Sequence, residues 1–219
     1  MSKKSSAPYA PPAKSAVSSP FLPVRPRAGE GHSITMKVKA VTRTGESGTM
    51  TFGIDLADAP VPSRRYAAEL ATVEVRDNEL RLFFAQRSPF GNDFDSVLVM
   101  RLNPRAAANL IRSIDEMGSP SLEDIQRAIK VEPEPLIKEL KNPVHPGNVA
   151  NMVANFVAVA IAEFETCLDF YHSSAFVMGV ISTKGSIEME PKVRVDIRTA
   201  LFISLISKIR EISPSLSVN

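Results

Sequence analysis

One cysteine, Cys167, stands in 219 residues, so no disulfide forms within the chain and a reducing compartment is expected. No apolar run approaches the roughly 18 to 20 residues of a membrane span, and the N-terminus MSKKSSAPYAPPAK lacks the apolar stretch of a secretory signal. A cytoplasmic protein without a membrane partner is the expectation. An excess of one charge is also missing: 26 Lys and Arg against 24 Asp and Glu leave a net +2, short of the clustered basic footprint of most nucleic-acid-binding domains. The three histidines, His32, His145 and His172, have no cysteine or second histidine at ligand spacing, so no metal site is read. Gly45 and Gly48 in RTGESGT lack the Gly-Lys-Ser/Thr ending of a phosphate loop and read as a hairpin turn.

Catalytic groupings are equally scarce. Cys167 and His172 sit five residues apart on one strand, which points them to opposite faces, and Asp93 and Asp95 in PFGNDFDS have no partnering base. The reading is of a protein that is not an enzyme and carries no cofactor.

What is present is a core and a pattern stated twice. Hydrophobic residues make up 44% of the chain and charged residues 23%, an ordinary balance for a globular protein. Glu69 to Ser88 lies without a gap over Asn155 to Ser174, 86 positions later: Val73, Val75, Leu82 and Phe84 are answered by Val159, Ile161, Leu168 and Phe170. A second match runs at a shift of 95, with Leu98, Met100, Leu102, Leu110, Ile111 and Ile114 answered by Val193, Val195, Ile197, Leu205, Ile206 and Ile209. Alternation with period 2 gives way to period 3.6 at the same place in both, which predicts a duplicated unit of strands followed by a helix. The fold class expected is α+β: two repeated units, each an antiparallel β-sheet packed on a helix, joined as a pseudo-dimer.

The boundaries follow from composition. Residues 1–30 hold six prolines and five basic residues with no acid before Glu30, and are expected to be a disordered tail. Residues 31–118 form the first unit, opening with alternating segments at 33–42 and 49–56. Within it Arg76-Asp77-Asn78-Glu79 makes a tight turn, and Asn103-Pro104 opens a helix that Gly118 ends. Residues 119–147 form a helical and Pro-rich linker, and 148–219 the second unit.

The second unit is too apolar for one solvated face. Ala158, Ala160, Cys167 and Tyr171 stand where outward residues belong, and Ile203 falls outside the stripe of the last helix, so both faces of these elements are expected to be covered. Tyr171 and Ile203 are therefore candidate partner contacts. The tail adds Phe21, Leu22, Arg25 and Arg27, which suit an extended polyproline segment in a partner's groove, or a phosphate backbone. Phe83, with Arg81 on the outer face of the first sheet, is the remaining candidate, placed as sheet aromatics are when they stack bases.

Tyr66, Leu70, Val73, Leu80, Leu82 and Phe84, followed by Leu102, Asn103, Pro104, Ala107 and Leu110, resemble a family of small bacterial proteins of unknown function, each about one unit long. The family pattern runs from a Tyr-containing segment through L-x-x-V and a hairpin to a strand entering x-Pro-x-x-Ala-x-x-Leu. The second unit keeps the hydrophobic positions but has Thr199 where Pro104 stands. The order of elements is also similar to that of SecB-type export chaperones. These resemblances bear on the fold; the function expected follows from the apolar surplus of the second unit, and is that of a non-enzymatic bacterial protein-binding or assembly subunit, oligomeric through that surface, with a SecB-like peptide binder and a nucleic-acid-associated subunit using the basic tail as the alternatives.

Overall fold

The computed structural model describes residues 33–44, 49–56, 59–88, 94–116, 121–130, 132–137, 149–179 and 185–217. Segment 1–30, with Phe21, Leu22, Arg25 and Arg27, lies outside them. The first half contains β1 (Ile34–Thr44), β2 (Thr49–Ile54), β3 (Arg65–Ala68), β4 (Leu70–Arg76), β5 (Glu79–Arg87), β6 (Phe94–Leu102), α1 (Pro104–Asp115) and α2 (Leu122–Ile129). The second contains β7 (Ala150–Ala154), β8 (Phe156–Ile161), β9 (Glu165–His172), α3 (Ala175–Gly179), β10 (Ser186–Arg198) and α4 (Thr199–Ile212), with a closing 3-10 turn at Ser213–Ser215. The class is α+β. No helix among the described residues is long and apolar enough to cross a membrane.

Local sequence explains most boundaries. Asp77 and Asn78 both take positive φ, 54° and 57°, as a two-residue hairpin turn requires, and β4 and β5 pair from Leu70–Ala85 to Arg76–Glu79. Asn103 caps α1 by accepting from the Ala106 N–H at 2.8 Å, with Pro104 in the first turn. Ser121 and Asp124 form a capping box on α2. α4 begins at Thr199 despite the missing proline. Its N-cap, Arg198, gives no side-chain bond, and the Thr199 hydroxyl instead donates to the Ala162 carbonyl at 2.8 Å and meets the Thr166 hydroxyl at 3.1 Å.

The strands form two sheets, ordered β4-β5-β6-β7 and β2-β1-β10-β9-β8, with β3 also on β10. Neither is the private sheet of one half. β3 lies parallel to β10, Arg65 beside Arg194, and β7 lies parallel to β6, Ala150 beside Leu98. Each of these visitors continues into the other sheet, β3 into β4 past Glu69 and β7 into β8 past Asn155. The helices cross over as well, α1 packing on β8 and α4 on β4. The expected pattern of antiparallel sheets each packed on their own helix therefore does not hold in detail. One continuous core joins Leu80, Leu82, Phe84, Met100 and Leu110 to Leu168, Phe170, Val195, Phe202 and Leu205.

Register decides which face each residue of β10 uses. The pairing with β9 shifts between Pro191 and Val193, and one extra residue reverses every later side chain. Val193, Val195 and Ile197 enter the main core, while Ile187 and Met189, before the shift, join Tyr171 on the opposite face.

Candidate functional site

The outer face of the larger sheet is covered by the chain itself. Ile34, Met36 and Val38 of β1, Ile54, Leu56 and Ala59 after it, and Val177 and Met178 of α3 pack around Tyr171, Ile187 and Met189. Tyr171 is fully buried and its hydroxyl donates to the Pro60 carbonyl at 2.9 Å. Ile203 is also buried, 7% exposed at the floor of a groove of about 510 Å³ between α2, residues 132–137 and α4. The expectation that these two residues face a partner is corrected: β1, the segment after β2 and the linker already cover them. β9 is buried on both faces from Thr166 to Tyr171, as its composition requires.

Charged groups stand on β9 and β10, Asp169 and Asp196 among them buried. Asp169, 1% exposed, accepts from the Arg194 guanidinium at 2.6 and 2.8 Å, the two residues facing each other across β9 and β10. Two pairs further along, the Cys167 thiol donates to an Asp196 oxygen at 3.0 Å, and the Arg65 guanidinium of β3 donates to the other. Arg65 also stands 3.5 Å from Glu165. Burial first, then the hydrogen bond to Asp196 and its negative charge, pushes the Cys167 thiol up to about 12. Cys167 is thus a protonated donor at neutral pH, without the thiolate a nucleophile requires. Its ionisable neighbour on the strand, His172, sits on the other face and is held below the usual imidazole range by burial and by Lys192.

Ligand atoms of Glu165, Cys167 and Asp196 lie within 4.8 Å of one another, close enough to share a cation. The Arg65 guanidinium already donates to Asp196 and pairs ionically with Glu165, so it supplies positive charge there, and its own pKa is raised chiefly by the hydrogen bond to Asp196. The cluster is thereby built as an ion-pair network across three strands. The sequence signal for it was Asp169 inside the otherwise apolar stretch 167–171 and the alternation of Arg194 and Asp196 with Val193, Val195 and Ile197; which of them meet depends on the register and on β3.

The outer face of the smaller sheet reaches solvent. Phe83 is half-buried between Thr72 of β4 and Val99 of β6, and Val99 lies beside the exposed Asn151 of β7. Val153, 41% exposed, lies beside Arg101. Arg101 is held by both oxygens of Glu79 at 2.7 Å, and Arg81 by Asp77 at 2.8 Å. Of the two loop acids considered from sequence, Asp95 is a half-buried residue of β6 opposite Gln86, and Asp93 lies outside the described residues, as do His32 and His145. Comparison with protein-family models, with curated proteins and with solved structures finds no match for this chain.

Proposed function

We propose that this chain is a non-enzymatic protein-binding or assembly subunit whose working surface is the outer face of the four-stranded sheet. One observation carries the reading. The face that the chain covers holds the ion pair Asp169–Arg194, whereas the face left to solvent holds the cross-strand apolar pair Phe83–Val99, extended by Val153. Folding alone favours the reverse placement, since a buried ion pair loses hydration and a half-buried aromatic leaves part of its surface in water. An apolar strip kept on the open face is what a partner would bury.

The arginines beside the strip are matched within the sheet, Arg101 by Glu79 and Arg81 by Asp77, which favours a protein surface over a phosphate backbone. Internal duplication belongs to the same reading. Support for it comes from the two offsets, 86 and 95, which carry β3 to β7, β5 to β9, β6 to β10 and α1 to α4, and from the reciprocal exchange of β3 and β7 between sheets. The proposed kinship with the small bacterial family and the SecB-like order of elements rest on that correspondence.

The test is co-purification of the full chain from its native host beside Phe83→Glu. A stoichiometric protein lost from the variant supports the assembly role. A heterogeneous client set replaces it with the chaperone reading, nuclease-sensitive material with the nucleic-acid one, and capture unaffected by Phe83→Glu removes this face from the function.

A further inference from the structure

The two edges of the four-stranded sheet are treated differently. Along β4, Ile137 of the extended segment 132–137 donates its N–H to the Ala71 carbonyl at 3.2 Å, and the exposed side chains Glu74 and Arg76 follow. Among the described residues β7, the other edge, pairs on one side only, with β6. Its five residues, Ala-Asn-Met-Val-Ala, contain no charge and no proline, and its pairing with β6 runs without a bulge. Charges, prolines and bulges are the devices that stop an edge strand from adding another strand. Ala150 and Met152 are packed against the main core, Ala154 is buried, and Asn151 and Val153 stand exposed on the outer face. The edge is therefore held in place from below, with no described strand along its other side.

We infer that β7 pairs antiparallel with β7 of a second copy of this chain, joining two four-stranded sheets into one of eight strands across a twofold axis at Met152. The occupant follows from charge and register. With Met152 on the axis, Asn151 of each copy stands opposite Val153 of the other, and Ala150 opposite Ala154. The outer row then reads Val99, Asn151, Val153 of the second copy and its Arg101, in which the single charge is already matched by Glu79. No like charges meet, so self-pairing carries none of the repulsion that separates identical surfaces, and the edge offers no charge with which to select a different partner. Each copy supplies the backbone donors and acceptors that the other lacks, as in strand addition generally. The pairing is independent of whether the Phe83 face binds anything, although it would place two such faces side by side.

Sedimentation of the full chain is the measurement, with circular dichroism as the check on folding. The wild type is expected to be a dimer. Asn151→Lys with Val153→Lys, which sets ammonium groups across the axis, is expected to keep the spectrum and weaken dimerisation by about a hundredfold or more. A chain carrying Asn151→Cys and Val153→Cys is expected to oxidise to a covalent dimer, because the two positions face each other between copies; this variant decides the matter if the lysines prevent folding. A wild-type monomer, a dimer indifferent to the lysines, or a dimer that fails to cross-link would each overturn the inference. A monomer that still captures a partner through Phe83 would overturn it while leaving the proposed function standing.

Discussion

The two sheets are built from strands of similar pattern and solve the problem of a second face in opposite ways. The larger sheet packs its outer face with side chains of β1, of Ile54, Leu56 and Ala59 and of α3 around Tyr171, and the same face buries the ion pair Asp169–Arg194. On the smaller sheet no described element covers the outer face, where Phe83 and Val99 are half-buried and Val153 is exposed. Positions related by the two sequence offsets carry inverted chemistry: 86 residues on from Phe83 stands Asp169, and 95 on from Val99 stands Arg194. A cross-strand apolar pair on the open face thus corresponds to a cross-strand ion pair on the closed one. Burial on its own does not sort residues in this way, and this contrast is what motivates the proposal that the open face meets a partner.

Introducing a charge at one aromatic of each face should break the comparison most visibly. Tyr171→Glu puts a carboxylate into a fully buried site and should cost about 4 kcal/mol or more, enough to unfold an ordinary domain. Phe83→Glu, on the half-buried open face, should leave a cooperative melt near the wild-type midpoint. Equal losses in the two variants would show that the smaller sheet is covered as well.

Removing one partner of an ion pair should separate the faces next. Asp169→Ala leaves Arg194 buried without its bidentate acceptor, a loss of about 3–5 kcal/mol in urea unfolding. Glu79→Ala releases Arg101 into solvent and should scarcely move the midpoint, because water replaces the lost acceptor. Should the double substitution Asp169→Leu with Arg194→Met restore most of the stability, the buried pair serves specificity of strand pairing rather than net stability.

The smallest effect should come from Cys167. Its folded pKa is raised from 9.0 to about 12, so the unfolded chain releases the thiol proton first as pH rises. The stability contributed by the protonated thiol is complete below about pH 9 and is lost as pH climbs toward about 12. The difference in unfolding free energy between wild type and Cys167→Ala should fall across that interval, and an aromatic disulfide reagent should modify Cys167 only after urea is added. Rapid modification of the folded chain would mean that the packing around β9 opens.

Much of this molecule is legible locally. The Asp77-Asn78 turn, the Asn103-Pro104 helix start and the inward set Leu80, Leu82 and Phe84 follow from neighbouring residues alone, since turn geometry, capping and strand alternation are short-range effects. The double coverage of β9 was legible too, from residues too apolar for water. What covers it was not, because any apolar surface serves, and Tyr171 and Ile203 found theirs within the chain. Three decisions belong to the tertiary structure: the exchange of β3 and β7 between sheets, the shift at Pro191 that turns Ile187 and Met189 away from the main core, and the meeting of Arg65, Cys167 and Asp196. Each joins residues far apart in the chain through backbone hydrogen bonds that any sequence can make, and the winning pairing is set by packing of the whole core.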